Sequence, residues 1–348
     1  MIITRFHNRE KLDLAVEFLT PTFLGGADQH AELRAAPFKN LFRQWWRISE
    51  GNRYQEWQDM LEKEGKLFGS VLNEKGAASQ VRLLLTADSE DFAISDATID
   101  LGSMHHPEVD RPSRIGKSLY LGFGPITYVR KQGVVWKKYI EPGSKAQLSI
   151  TLPKTERQEF VKILHYIDGF GTIGSRSRNG WGSLALSGPQ FEQQAPGSFP
   201  SLPIDELLGS GRQFPSVLGR DKTLLCWETE PKDNWREVME ILAETYLQTR
   251  TSINISGEGL QQRHALGYPI TNHNIHDWGV NNGRMPSQLR LMVKKNGKDR
   301  YVGRILHLPH ALPKKWDKSK LGHEIETWKK VHTLLDRSAH LHRSGGTR

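Results

Sequence analysis

Apolar residues take every second position in "KLDLAVEFLTP", where Leu12, Leu14, Val16 and Phe18 share one face of an extended segment. That period predicts a half-buried strand. It stops at Pro21, and Gly25-Gly26 beyond it permits a tight turn. The period then changes. Phe38, Leu41, Phe42, Trp45 and Trp46 fall at helical spacing and predict an amphipathic helix over 37–49, with Pro37 in its first turn. Strands are predicted at 81–87, 117–124, 133–140 and 146–153, the last alternating Leu148, Ile150 and Leu152. A helix over 155–171 opens with Thr155 and Gln158 at capping-box spacing, lines up Phe160, Leu164 and Ile167, and meets Gly169 as a C-cap. A strand at 182–188 follows.

Strand, helix, strands, helix, strand is the split arrangement of a ferredoxin-like (RRM-like) domain, here with a long insertion around 88–145. Residues 189–221 are rich in Pro, Gly, Ser and Gln and read as a connection. A second series begins with a strand at 222–230. A helix at 233–250 is expected to be capped by Asp233, with Trp235, Val238, Leu242 and Tyr246 on one face. Strands at 289–293 and 301–309 and a helix at 324–336 complete it. The expectation is an α+β protein of two tandem ferredoxin-like (RRM-like) domains with insertions. The first covers 1–195 and contains a glycine-rich loop, 196–221 is a linker, and the second covers 222–348.

A length of 348 residues suits two such domains. With 37% hydrophobic and 25% charged residues the chain reads as soluble and globular. No window holds the roughly 18 apolar residues of a membrane span, and "MIITRFHNREKLDLAVEF" lacks a secretory apolar run, so no membrane association and a cytoplasmic location are expected. The one cysteine, Cys226, excludes an internal disulfide and a Cys-rich zinc site, and no cofactor is expected. Forty-eight Lys and Arg stand against 39 Asp and Glu, a net charge of +9 that suggests a polyanionic partner.

Charge placement sharpens this. Lys39, Arg43 and Arg47 stack at i, i+4 and i+8 on the first helix. No acid inside the helix offsets them; the nearest in sequence are Glu32 and Glu50. The aromatics read as core, and the cations either as a solvated side or as a face turned to phosphates. Arg34 adjoins the row, and backbone N–H groups of the Gly25-Gly26 turn would add anion-binding donors. A second basic stretch, "DGFGTIGSRSRNGWGSL" (168–184), carries five glycines, Gly169, Gly171, Gly174, Gly180 and Gly182, with Arg176, Ser177 and Arg178 between the third and fourth. Glycine lets backbone approach a ligand and arginine grips phosphate with a planar fork. The loop follows a helix and lacks Gly-Lys-Ser/Thr, so it is neither a P-loop nor a dinucleotide fingerprint.

"FLTPTFLGGADQHAELRAAPFKNLFRQWWR" and "GTIGSRSRNGWGSL" together resemble the RAMP superfamily of CRISPR proteins, and within it the family of first subunits of the type III-B (Cmr) RNA-targeting effector complex. "SLYLGFGPI" (118–126), "QRHALGYPI" (262–270) and "RMPSQLRLMV" (284–293) extend the likeness, bringing in Arg263, Gly267, Pro269 and Arg284. Asn40, Thr172 and Asn179 depart from the pattern. The resemblance implies two tandem ferredoxin-like domains and assembly with other RAMP subunits. It also implies binding of guide RNA (crRNA) and target single-stranded RNA near the guide's 3′ end for antiviral defence, without catalysis by this subunit. The RNA-binding residues expected are Gly25, Gly26, Arg34, Lys39, Arg43, Arg47, Gly174, Arg176, Ser177, Arg178, Arg263 and Arg284.

Two other classes compete. A metal-independent or metal-assisted endoribonuclease of the RAMP superfamily would draw on His30, His105, His106 or His165, or on Asp28 with a metal. The spacings His273-x-x-His276 and His307-x-x-His310 allow metal ligation but gain no support from cysteine or an evident helix. A protein-only scaffold would bind no RNA.

Overall fold

The computed structural model describes residues 8–26, 30–54, 56–71, 76–109, 113–189, 199–209, 218–253, 262–270, 273, 284–310 and 324–344. The chain divides into two compact units. The first takes in the chain to Ala97, Trp136–Ser177 and Trp181–Phe199; the second takes in Thr98–Val135, Arg178–Gly180 and Pro200–Arg348.

The first unit is built on β1 (Arg9–Phe18), β2 (Arg82–Thr86), β3 (Lys145–Pro153) and β4 (Leu184–Ser187). Their order across the sheet is β4-β1-β3-β2, every pairing antiparallel. Leu12, Leu14, Val16 and Phe18 are buried, as their alternation requires, and register places Leu14 opposite Leu148 and Leu12 opposite Ile150. Helix α1 (Ala35–Glu50), α2 (Trp57–Phe68) and α3 (Arg157–Phe170) pack here, with Trp45 stacked on Tyr166 and Phe170, and Phe42 against Phe160.

The second unit repeats the order. Strand β5 (Cys226–Thr229) leads to helix α4 (Trp235–Thr251), then β6 (Leu289–Lys295), β7 (Tyr301–His307), helix α5 (Glu324–Asp336) and β8 (Leu341–Arg343). Across the sheet they lie β6-β7-β5-β8. Both units therefore place their fourth strand beside the first, the first beside the third, and the third beside the second.

Several expectations are corrected. The segment 117–124 is not a strand: Lys117–Gly122 is a short helix burying Lys117, Ser118, Leu121 and Gly122, a helical spacing. The helix cap at 155–158 is replaced by a 3-10 turn at Lys154–Glu156; Glu156 precedes α3, and Gly171 rather than Gly169 ends it. The cap of α4 is Asn234, whose side chain accepts from the Arg236 N–H at 2.7 Å, not Asp233. Helix α2 adds an element between the predicted first helix and the predicted strand at 81–87. The connection 196–221 contains a parallel pair, Ser201–Pro203 with Leu218–Arg220. The segment 98–135 lies within the sequence span 1–195 but groups with the second unit, where Lys117 Nζ sits 3.1 Å from Glu240 and 2.8 Å from Glu244 on α4.

Candidate nucleic-acid interface

In the first unit the chain leaves β1 and turns at Gly25-Gly26 into a small antiparallel bridge. The Gly26 N–H donates to the His30 carbonyl at 2.9 Å, and Glu32 N–H to the Leu24 carbonyl at 2.9 Å. The Gly26 amide is thus already used inside the turn, which corrects the expectation of unpaired donors there. Arg34 Nη1 donates to the Gly25 carbonyl at 3.1 Å and its Nε lies 3.9 Å from Glu32.

The glycine-rich loop closes onto the same segment. Ser175 N–H donates to the Phe23 carbonyl at 2.9 Å, Gly182 N–H to that of Pro21 at 3.0 Å, and Ile173 N–H to that of Gly182 at 2.8 Å. Gly174 has φ +92°, and a Cβ there would stand 2.7 Å from the Phe23 oxygen; Gly182, at φ +66°, would drive a Cβ into the Ile173 carbonyl. These glycines serve close backbone approach within the protein. Arg176 also adopts a positive φ, 54°, and is exposed, with Ser177 half-buried beside it. Gly25, Gly26, Arg34, Gly174, Arg176 and Ser177 therefore gather around the strand-to-turn segment 21–26.

Helix α1 behaves differently from its sequence reading. Arg47 holds Glu64 of α2 in a two-pronged pair, Nη2 to Oε1 at 2.9 Å and Nε to Oε2. Arg43 stands 3.7 Å from the same carboxylate, donates to the carbonyls of Phe68 (3.1 Å) and Gly69, and covers the Phe68 ring. Glu64 is only 4% exposed, so it must be paired. The row of three is thus broken: Arg43 and Arg47 tie α1 to α2, and the missing counter-charge comes from α2. Lys39 makes no ion pair among the described residues; burial and then Arg43 lower its pKa.

In the second unit Arg263 is 4% exposed, donates to the Ile253 carbonyl at 3.0 and 2.8 Å, and pairs with Glu108 at 2.9 Å. It is a structural residue rather than an exposed cation. Arg178 is half-buried, its pKa lowered by desolvation, and its carbonyl accepts from Leu291 N–H at 2.8 Å. Arg284 is exposed next to Met285, which exchanges hydrogen bonds with Tyr268 at 2.8 and 3.0 Å and so joins the two late motifs.

Asp28 and His276 lie outside the described residues. His30 and His105 are exposed, His106 and His165 half-buried. His307 is fully buried and bonds to His332 Nε2 at 2.7 Å and Gln288 Oε1 at 3.1 Å. Among the described residues no three His, Cys, Asp or Glu converge to hold a metal ion.

A further titratable cluster escaped sequence reasoning. Glu50, at the end of α1, is buried and faces Glu159 of α3; Arg53 donates to Glu50 at 2.7 Å and to Glu159 at 3.1 Å, and Lys162 stands 3.6 Å from Glu50. Desolvation, then hydrogen bonding and repulsion from Glu159, push Glu50 up to about 7, while Glu159 is held low by its contacts to Glu50, Lys162 and Arg53. The pair can hold a proton near neutrality. Its members are far apart in sequence, and spacing offers no signal for it.

A β-α-β-β-α-β unit with a glycine-rich loop before its fourth strand defines the class of this protein. The profile of the RAMP superfamily matches residues 15–185, which include most of the first unit's sheet, its helices and the glycine-rich loop. Cmr1 from Pyrococcus furiosus, in its apo crystal form, is similar at 18% identity over 93% of this chain and 96% of that one, with a TM-score of 0.51. A chain of a type III-B Cmr-β complex bound to cognate target RNA is similar at 13% identity over 93% and 100%, with a TM-score of 0.50. Both likenesses are of fold. No curated protein matches the chain in sequence. No helix among the described residues is long and apolar enough to cross a membrane.

Proposed function

We propose that this chain is the RNA-binding, non-catalytic subunit of a cytoplasmic type III-B CRISPR effector complex, gripping the backbone of guide or target RNA near the guide's 3′ end for antiviral defence. Its two units are then two ferredoxin-like domains in tandem, a reading supported by their shared strand order. The observation that carries the functional reading is the gathering of Arg34, Arg176, Ser177 and the Gly25-Gly26 turn around segment 21–26 of a RAMP domain, on a chain of net charge +9. The Cmr-β complex of similar fold holds cognate target RNA, which supports the same ligand here, together with partner RAMP subunits.

The test is equilibrium binding of single-stranded RNA across a salt series. Log affinity should fall against log salt by about 0.7 per phosphate neutralised. Arg34→Glu with Arg176→Glu should weaken binding to every RNA sequence alike, because phosphate contacts carry no sequence information. Wild-type affinity in that variant refutes this face as the grip. The endoribonuclease alternative gains nothing from the Glu50–Glu159 pair, because Glu50 is buried among the helices. Labelled RNA incubated with and without Mg²⁺ or Mn²⁺ decides that alternative: cleavage lost in Asp28→Asn or His30→Ala establishes an enzyme.

A further inference from the structure

In the second unit the chain forms a hairpin, Ile126–Val129 with Gly133–Trp136, around the loop Arg130–Lys131–Gln132, the unit's segment ending at Val135. The Gln132 N–H donates to the Val129 carbonyl at 3.0 Å, and Lys131 takes a positive φ of 74°, so the loop is tightly turned. Ile126 is fully buried at its base, next to the bridge it makes with Phe123. Beyond that base the apolar residues do not turn inward. Tyr128 is 67% exposed and Phe123 62%, with Val129 and Val134 also open to solvent.

A cluster of exposed apolar and aromatic side chains needs an occupant. Charge says which kind. From Ser118 to Ile140 the sequence contains Arg130, Lys131, Lys137 and Lys138 and no Asp or Glu. Arg130 and Lys131, at the tip, are exposed and make no ion pair among the described residues. Aromatic faces interleaved with unpaired cations are what a flexible polyanion with π-faces recognises: bases stack on the rings while ammonium and guanidinium groups take the phosphates.

Resting on the RNA-binding reading above, we propose that this hairpin is a second contact for single-stranded RNA, with Tyr128 and Phe123 as base-stacking platforms and Arg130 and Lys131 as phosphate clamps. Recognition is of a single strand, since a paired base offers no free face, and is tolerant of sequence because every base stacks.

The experiment uses the full chain and an unstructured RNA carrying 2-aminopurine, whose fluorescence falls when it stacks. Wild-type protein should quench the probe on binding. Tyr128→Leu with Phe123→Leu keeps the apolar surface but removes the rings; it should lose the quench and bind about tenfold more weakly. Tyr128→Phe should retain both. Arg130→Gln with Lys131→Gln should lower the salt slope by about 1.4, two phosphates' worth. These side chains are exposed, so an unchanged thermal transition in each variant confirms folding. If the Leu variant quenches and binds as wild type, stacking is refuted while RNA binding stands. If that variant keeps RNA but loses association with a protein subunit, the hairpin is a protein-docking surface and the inference falls. If wild type binds no RNA at all, both readings fall.

Discussion

Glu64 and Glu50 are both buried carboxyls among the helices of the first unit, and they are neutralised in different ways. Glu64 is charge-paired by Arg47 and Arg43. Truncating Arg47 to Ala leaves a desolvated carboxylate with only the 3.7 Å contact from Arg43, and should cost about 3 kcal/mol in denaturant unfolding. Arg47→Met with Glu64→Met should recover most of that loss, because no buried charge remains. Glu50 also has a cation, Arg53 at 2.7 Å, but it faces Glu159 in a buried setting and takes up a proton near neutrality. Its folded pKa of about 7 lies above its ordinary value of 4.5, so the folded state binds the extra proton between those values. The stability this contributes is complete below about pH 4.5 and is lost as pH rises towards 7, while the lowered pKa of Glu159 contributes stability that is lost only in more acidic solution. Glu50→Gln should flatten the pH dependence of the melting temperature between pH 5 and 7. A wild-type slope in that variant would show that another group carries the proton.

At the scale of elements, what the sequence revealed was periodicity. Strands β1 and β3 are legible because each buries alternate residues, and α1 because its aromatics recur at helical spacing. Helix α2 is hidden for a specific reason: Glu64 occupies a core-facing position among Met60, Leu67 and Phe68, so its apolar stripe is interrupted by the residue that pairs with Arg47. The segment Lys117–Gly122 misleads because Leu119, Leu121 and Phe123 alternate over a run too short to separate helix from strand. Half the candidate interface was legible in the same sense. Sequence found the glycine loop and the basic helix, but not that Arg43, Arg47 and Arg263 are committed to Glu64 and Glu108 from elsewhere in the chain. The loop's glycines are structural first. Gly182→Ala combines a left-handed backbone with a collision against Ile173 and should cost more than about 1 kcal/mol, read as a fall in melting temperature even without RNA.

For the whole molecule, the two units share a strand order yet bury titratable groups whose shifts oppose each other, a raised carboxyl in the first and lowered histidines in the second. Burial lowers His307, and lowers His332 to about 4, in the second unit. A depressed histidine contributes stability that is complete above its ordinary pKa of about 6.5 and is lost as pH falls towards the folded value. Acidification from pH 7 to 5 should therefore loosen the second unit while the Glu50 proton tightens the first. Hydrogen exchange of peptides from α5 and β7, against those from α1 and α3, should show protection moving oppositely; parallel movement would contradict it. The membership of residues 98–135 has a consequence for synthesis. They leave the ribosome between two strands of the first unit, but their partners Glu240, Glu244 and Arg263 are translated only after that unit is complete. Nascent chains of about 200 residues should carry this segment as an unsatisfied, protease-sensitive arm, with Lys117 lacking its carboxylates, until helix α4 emerges to receive it.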